Sequence, residues 1–148
     1  MKIYIASSMR NHLINSKITM HLQNAGIEVF LPQRDTTVPS KQIEKTDFSK
    51  IIYCSNIKAI DEADVILVVS RNIGTDTAWE CGYAIGKNKR IYALMETDDD
   101  IVDMYMLYGA LSDSIHNISY SSKKAFNHSM QSLIDKLQQL QAKNIAKE

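Results

Sequence analysis

The carboxylate of Glu80 stands near the start of a predicted helix, in Gly74-Thr75-Asp76-Thr77-Ala78-Trp79-Glu80-Cys81-Gly82-Tyr83-Ala84, shortly after the apolar run Val65-Ile66-Leu67-Val68-Val69. An unbroken run rich in β-branched residues suits a central parallel strand covered on both faces. The crevice beyond the C-terminal end of such a strand is where an open α/β sheet keeps its chemistry. Glu80 would stand at its mouth, with Gly74 allowing a tight turn, Asp76 or Thr77 capping the helix, and Gly82 and Ala84 small enough to let the helix lie close to the sheet. Two readings of Glu80 are open. It is a working carboxylate, or it closes a capping box, since Thr77-x-x-Glu80 fits the pattern in which a glutamate bonds back to the N-cap amide. Cys81 reads as a packed small hydrophobe rather than a nucleophile.

The elements that must position Glu80 follow from hydrophobic period. Lys2-Ile3-Tyr4-Ile5-Ala6 is a first strand, and the polar Ser7-Ser8-Met9-Arg10-Asn11 is the loop after it. Residues 11–24 form a helix with Leu13, Ile14, Ile18, Met20 and Leu22 packed along one side, stopped by Gly26. Ile27-Glu28-Val29-Phe30-Leu31 is a second strand ended by Pro32, and residues 33–39 form a loop. Residues 41–63 read as helical, with apolar positions at Ile43, Phe48, Ile51, Ile52, Ile57 and Ile60. After the central strand and the Glu80 helix come a fourth strand at 89–95, a short helix at 101–111 and a weak fifth strand at 114–120. The last helix, from Lys123 on, has Phe126, Met130, Leu133, Leu137 and Leu140 spaced by four and three, a stripe that closes the core or meets another subunit; after Lys143 it frays. The acidic run Glu96-Thr97-Asp98-Asp99-Asp100 lacks the glycine and spaced ligands of a calcium loop and reads as a solvated turn. This alternation predicts one α/β domain, flavodoxin-like or Rossmann-like, with a five-stranded parallel sheet of order 2-1-3-4-5 and helices on both faces. In that order the loop at 7–11 faces the segment at 74–80 across the switch point.

Composition narrows the partners. At 148 residues and 45% hydrophobic content the chain suits one domain with one core. Seventeen basic and seventeen acidic side chains cancel, so no overall field draws it to nucleic acid or an anionic membrane, and a small molecule is the better expectation. With no transmembrane run and no signal-peptide pattern, a cytoplasmic location is expected. Cys54 and Cys81 form no zinc pattern and read as reduced thiols.

Four segments resemble the nucleoside 2-deoxyribosyltransferase family, which also contains nucleotide N-hydrolases. They are Lys2-Ile3-Tyr4-Ile5-Ala6-Ser7, Val29-Phe30-Leu31-Pro32-Gln33-Arg34-Asp35, Ile60-Asp61-Glu62-Ala63-Asp64-Val65 and Thr77-Ala78-Trp79-Glu80-Cys81-Gly82-Tyr83-Ala84. The resemblance implies that Glu80 attacks the anomeric carbon, expels the base and holds the sugar until a second base or water arrives. It implies that Tyr4 holds Glu80 in position and that Asp64 handles the sugar or the base proton. This is a retaining glycoside transfer, and no cofactor or metal enters it. The expected partners are a nucleoside or nucleotide and a free nucleobase. Ser7, Ser8 and Arg10 look like the phosphate-binding loop of the nucleotide-hydrolase branch. Trp79, Tyr4 and the Gln33-Arg34-Asp35 loop are the expected surface for the incoming base.

The chain departs from the family in two places. Gly74-Thr75-Asp76-Thr77 puts glycine where the family has a sugar-binding aspartate and aspartate where it has glycine; Asp76 takes over that contact or caps the helix. The family's C-terminal asparagine, often donated by a neighbouring subunit, is not evident around residues 103–106, where Met106 is the substrate-binding candidate. Met104, Tyr105, Met106 and Tyr108 form an apolar group that predicts a homo-oligomer, a dimer or higher. Three alternatives stand beside transfer: a nucleoside 5'-monophosphate N-glycosidase, a TIR-type nucleotide-sensing or NAD-cleaving module, and a binding domain in which Glu80 only caps its helix.

Overall fold

The computed structural model describes residues 1–38, 44–96 and 105–146. Its sheet has strands β1 (Lys2–Ala6), β2 (Glu28–Phe30), β3 (Val65–Val69), β4 (Arg90–Met95) and β5 (Ile115–Asn117), all parallel, in the order β2-β1-β3-β4-β5. The helices are α1 (His12–Asn24), α2 (Pro32–Asp35), α3 (Lys45–Glu62), α4 (Thr75–Gly86), α5 (Tyr105–Leu111) and α6 (Lys123–Ile145). Class and strand order are as expected.

Strand alternation divides the core. Ile3, Ile5, Val65, Leu67 and Val69 face α1 and α6, while Tyr4, Ala6, Ile66 and Val68 face α3, α4 and α5. Tyr4, opposite Ile66 in the register, is thereby directed to the face that carries α4. The α6 stripe closes the first half of the core: Phe126, Met130, Leu133 and Leu137 are buried there, each contributing about 1.5–3 kcal/mol of burial free energy, so the stripe is not a subunit contact.

Several boundaries differ from expectation for local reasons. Pro32 does not merely end β2; it occupies the first turn of α2, where its missing N–H costs nothing, and so residues 32–35 are helical rather than loop. On α1 the spacing of four at Ile14, Ile18 and Leu22 wins, and Leu13 and Met20 point to solvent. Only Ala59 and Ile60 of α3 are buried; Phe48 is exposed. Helix α6 continues past Lys143 to Ile145 instead of fraying. Glu96 is not a solvated turn residue, because it accepts from Tyr120 N at 3.2 Å and lies 3.7 Å from Arg71. The expectations for Pro39, residues 41–43 including Ile43, the rest of the acidic run and residues 101–104 including Met104 lie outside the described residues.

Candidate active site

The loops after β1 and β3 meet at the switch point. Ser8 accepts from Arg10 N at 3.2 Å and caps a 3-10 turn over Met9–Asn11, which leads straight into α1. The buried Asn11 donates to Arg71 O at 2.6 Å and accepts from Asn72 Nδ2 at 2.9 Å, tying the two loops together. Asn72 takes the left-handed conformation of that turn, at φ +53°, which asparagine tolerates better than most residues. Gly74 does not supply it, since its φ of −107° is open to any residue.

Helix α4 begins at Thr75 with Gly74 as N-cap and no side-chain cap bond, so neither Asp76 nor Thr77 caps it. Glu80 lies a turn and a half inside and closes no capping box. Its Oε1 accepts from Tyr4 Oη at 2.6 Å and from Asn56 Nδ2 of α3 at 3.1 Å; among the described residues Oε2 has no hydrogen bond. Tyr4 is wholly buried and stacked on Phe30, and Glu80 is 8% exposed. Burial raises the Glu80 carboxyl to about 7; the Tyr4 and Asn56 bonds oppose that rise and the nearby Asp76 adds to it. Burial also pushes the Tyr4 phenol far above its ordinary range, so it stays a donor, and pushes the Cys81 thiol up to about 12, so Cys81 is a neutral packed side chain. Ala84 is buried beside it, whereas Gly82 is exposed with open space around it and does not bring α4 closer to the sheet.

Other expected site residues lie elsewhere. Asp64 is exposed at the N-terminal ends of β1 and β3, where it accepts from Lys2 N at 2.7 Å. A strand of this length puts it roughly 15 Å along β3 from the loop that leads to α4. It therefore ties the start of β1 to the start of β3, at the end of the sheet away from Glu80. Tyr4, fully buried, offers no stacking surface to a base. Trp79 is half-exposed, stacked on Tyr83 at 5.6 Å and edge-on to Tyr53 at 5.7 Å, in an aromatic surface patch between α3 and α4. Arg34 and Asp35 satisfy each other at 2.6 Å, with Arg34 also donating to Val29 O and Asp35 accepting from Leu31 N. They close the β2–α2 corner rather than offering free groups. Ser7 donates to Asn15 Oδ1 at 2.8 Å, and Asn15 Nδ2 donates to Ser8 O and to Gln33 Oε1, both at 3.1 Å. The Ser7 hydroxyl is thus engaged by Asn11 and Asn15, and the Ser8 hydroxyl accepts from the Arg10 amide. Arg10, Asp76 and Gly74 are exposed at this end of the sheet, and Met106 on α5 is 90% exposed. A cleft of about 350 Å3 opens between α1 and the β2–α2 corner, lined by His12, Thr19, Met20, Leu31, Gln33 and Arg34 among others.

Two site residues escaped the sequence reading, Asn15 and Asn56. Each sits one turn before the apolar residues of its helix, Asn15 before Ile18 and Asn56 before Ala59 and Ile60. A polar residue on a core stripe was the available signal, because buried amides require partners.

The pattern of the family described as nucleoside 2-deoxyribosyltransferase matches residues 3–141. No curated protein matches the sequence. Among solved structures, the 2-deoxyribosyltransferase of Bacillus psychrosaccharolyticus superposes with a TM-score of 0.61 at 23% identity, covering 80% of this chain and 86% of that one. The CMP N-glycosidase of Clostridium botulinum gives 0.58 at 20%, covering 90% and 97%. The RPS4 and RRS1 TIR domain heterodimer gives 0.58 at 14%, covering 94% and 97%. These structures share the fold, a TIR domain nearly as closely as the enzymes; the sequence pattern separates them. The chain belongs to the nucleoside 2-deoxyribosyltransferase family.

Proposed function

We propose that this protein breaks the N-glycosidic bond of a (deoxy)nucleoside or its monophosphate, with Glu80 as nucleophile, and passes the sugar to another nucleobase, to water, or to both. The observation that carries this reading is the geometry of Glu80: a buried carboxylate with Oε1 bonded by Tyr4 and Asn56 and Oε2 left open among the described residues. Attack of Oε2 on the anomeric carbon forms a glycosyl ester while the carbon–nitrogen bond breaks and its electron pair leaves with the base. That base gains a proton from a group other than Asp64 or from solvent. An acceptor nitrogen or a water oxygen then takes the sugar and frees the carboxylate.

Transfer requires that the incoming base be held where the first one left. The buried Tyr4 offers it no open ring, Trp79 has one face already against Tyr83, and the family's sugar-binding aspartate and C-terminal asparagine are not evident here. Measurable hydrolysis beside exchange is therefore expected. Deoxyinosine incubated with labelled adenine should yield both labelled deoxyadenosine and free deoxyribose. Labelled product without free sugar identifies a strict transferase, free sugar unaffected by adenine identifies a hydrolase, and neither product means deoxyinosine is not cleaved.

Arg10 supports the monophosphate reading, since its side chain is exposed beside the loop amides and its guanidinium has no partner among the described residues. Arg10→Ala is expected to raise KM for 5'-monophosphates by roughly 10- to 100-fold, the size of a charge-assisted hydrogen bond, and to leave nucleosides nearly unchanged. Equal losses on both substrates would count against a phosphate contact.

The exposed Tyr105, Met106 and Tyr108 of α5, and the exposed Tyr53–Trp79 pair between α3 and α4, support a homo-oligomer, because exposed apolar groups of this kind mark interfaces. Sedimentation at micromolar concentration should give a dimer or larger. A monomer there contradicts this assembly.

A further inference from the structure

Resting on the assignment of Glu80 as nucleophile, we propose that Asn56 is a positioning residue for this reaction: its amide holds the carboxylate charged through Oε1 and leaves Oε2 free to attack, while Thr36 sets the amide's orientation.

Three contacts carry the proposal. Asn56 Nδ2 lies 3.1 Å from Glu80 Oε1, Thr36 Oγ1 lies 3.2 Å from Asn56 Oδ1, and Tyr4 Oη reaches the same Glu80 oxygen at 2.6 Å from the opposite element. A carboxylate only accepts, so the amide must turn its NH2 toward Glu80 and its oxygen toward Thr36, whose hydroxyl then donates. Both bonds select the same amide orientation. With β1 and α3 each donating to Oε1, the side chain is held at one oxygen and the other is left open.

The chemistry of the donors matters as much as their place. Burial disfavours the charged carboxylate that the nucleophile must be, and Tyr4 and Asn56 oppose that effect. The titratable groups acting on Glu80 are the Tyr4 phenol from β1 and Asp76 on its own helix; the adjacent Cys81 thiol stays neutral, and the contribution of α3 is the uncharged Asn56. A lysine or arginine at position 56 would hold the carboxylate charged too, but as an ion pair that weakens its attack. An amide stabilises the charge without neutralising it. Thr36 comes just after α2, so the β2–α2 corner is linked through one side chain to the reacting group.

Two measurements test this. With the Glu80 carboxyl signal identified in 13C-glutamate-labelled protein by its loss in Glu80→Gln, Asn56→Leu should titrate roughly one to two pH units higher than wild type. Asn56→Asp, which sets a second acid against Glu80, should move it further, and Thr36→Val should move it the same way by less. In kcat/KM profiles Asn56→Leu should lose about 10- to 100-fold at pH 6 and regain most of that loss by pH 9, and Thr36→Val should show a smaller loss of the same form. Should Asn56→Leu not fold, Thr36→Val carries the test. A Glu80 titration unchanged in these variants, or a loss equal at every pH, overturns the proposal. If instead Glu80→Gln keeps its turnover, the nucleophile reading fails, whatever Asn56 does.

Discussion

Glu80→Gln should lower turnover by on the order of 10^4-fold or more, because removing a nucleophile closes the covalent route and leaves only binding and solvent attack. The substitution is close to isosteric. An amide oxygen in place of Oε1 still accepts from Tyr4 and Asn56, so the packing around α4 is preserved. Loss of activity with a native circular-dichroism spectrum and an undiminished melting temperature is therefore the expected pair of results. Glu80→Ala should be as inactive. Turnover within tenfold of wild type in either variant, measured by product mass spectrometry over a panel of nucleosides and monophosphates, would falsify the mechanism. The wild-type enzyme should also lose kcat/KM as pH falls through about 7, as the buried carboxyl takes up its proton.

Stability should carry the opposite pH dependence at this residue. Glu80 has its carboxyl raised from 4.5 to about 7, so between those values the folded chain binds a proton that the unfolded chain has released. The stability it contributes is fully present below about pH 4.5 and is lost as pH rises through about 7, a change of roughly 3 kcal/mol. Glu80→Gln cannot titrate and should escape this loss. The difference in unfolding free energy between variant and wild type should therefore grow in favour of the variant from about pH 4.5 to 7 and then level off. Taking the difference removes groups common to both proteins, including Asp35, whose carboxyl Arg34 and the Leu31 amide hold below its ordinary value and which acts in the acid range with the opposite sign. Urea titrations of both proteins at pH 4.5, 6 and 8 check it. A constant difference across that range would mean that Glu80 is charged throughout and that burial does not govern its ionisation. The same buried charge that suits a nucleophile is thus a cost to the fold, the usual trade between stability and activity.

The features of this protein that depend on local pattern are legible in the order of its residues. The apolar run at 65–69 reads as a central strand because only a sheet covered on both faces can bury five such side chains in a row, and it is one. The alternation of strands and helices, with right-handed crossovers, leads to the order 2-1-3-4-5, and that order alone sets the β1 and β3 loops side by side. The spacing of Phe126, Met130, Leu133 and Leu137 identifies the buried side of α6.

Which polar groups meet depends instead on the packing of distant elements. Thr77-x-x-Glu80 satisfies the capping pattern in one dimension, but the helix starts at Thr75, and the carboxylate turns to Tyr4, 76 positions away in sequence, and to Asn56. Asp64 belongs to a recognisable motif, yet it precedes a parallel strand while the chemistry lies beyond the other end, so strand direction removes it from the site. Trp79 and Glu80 are neighbours in the chain, but one helical step of 100° sends the first to the surface and the second into the core. The period of a strand or helix is written in consecutive residues, so a sequence displays it. A hydrogen bond between distant side chains depends on how the packed elements orient them, and only the folded chain specifies that.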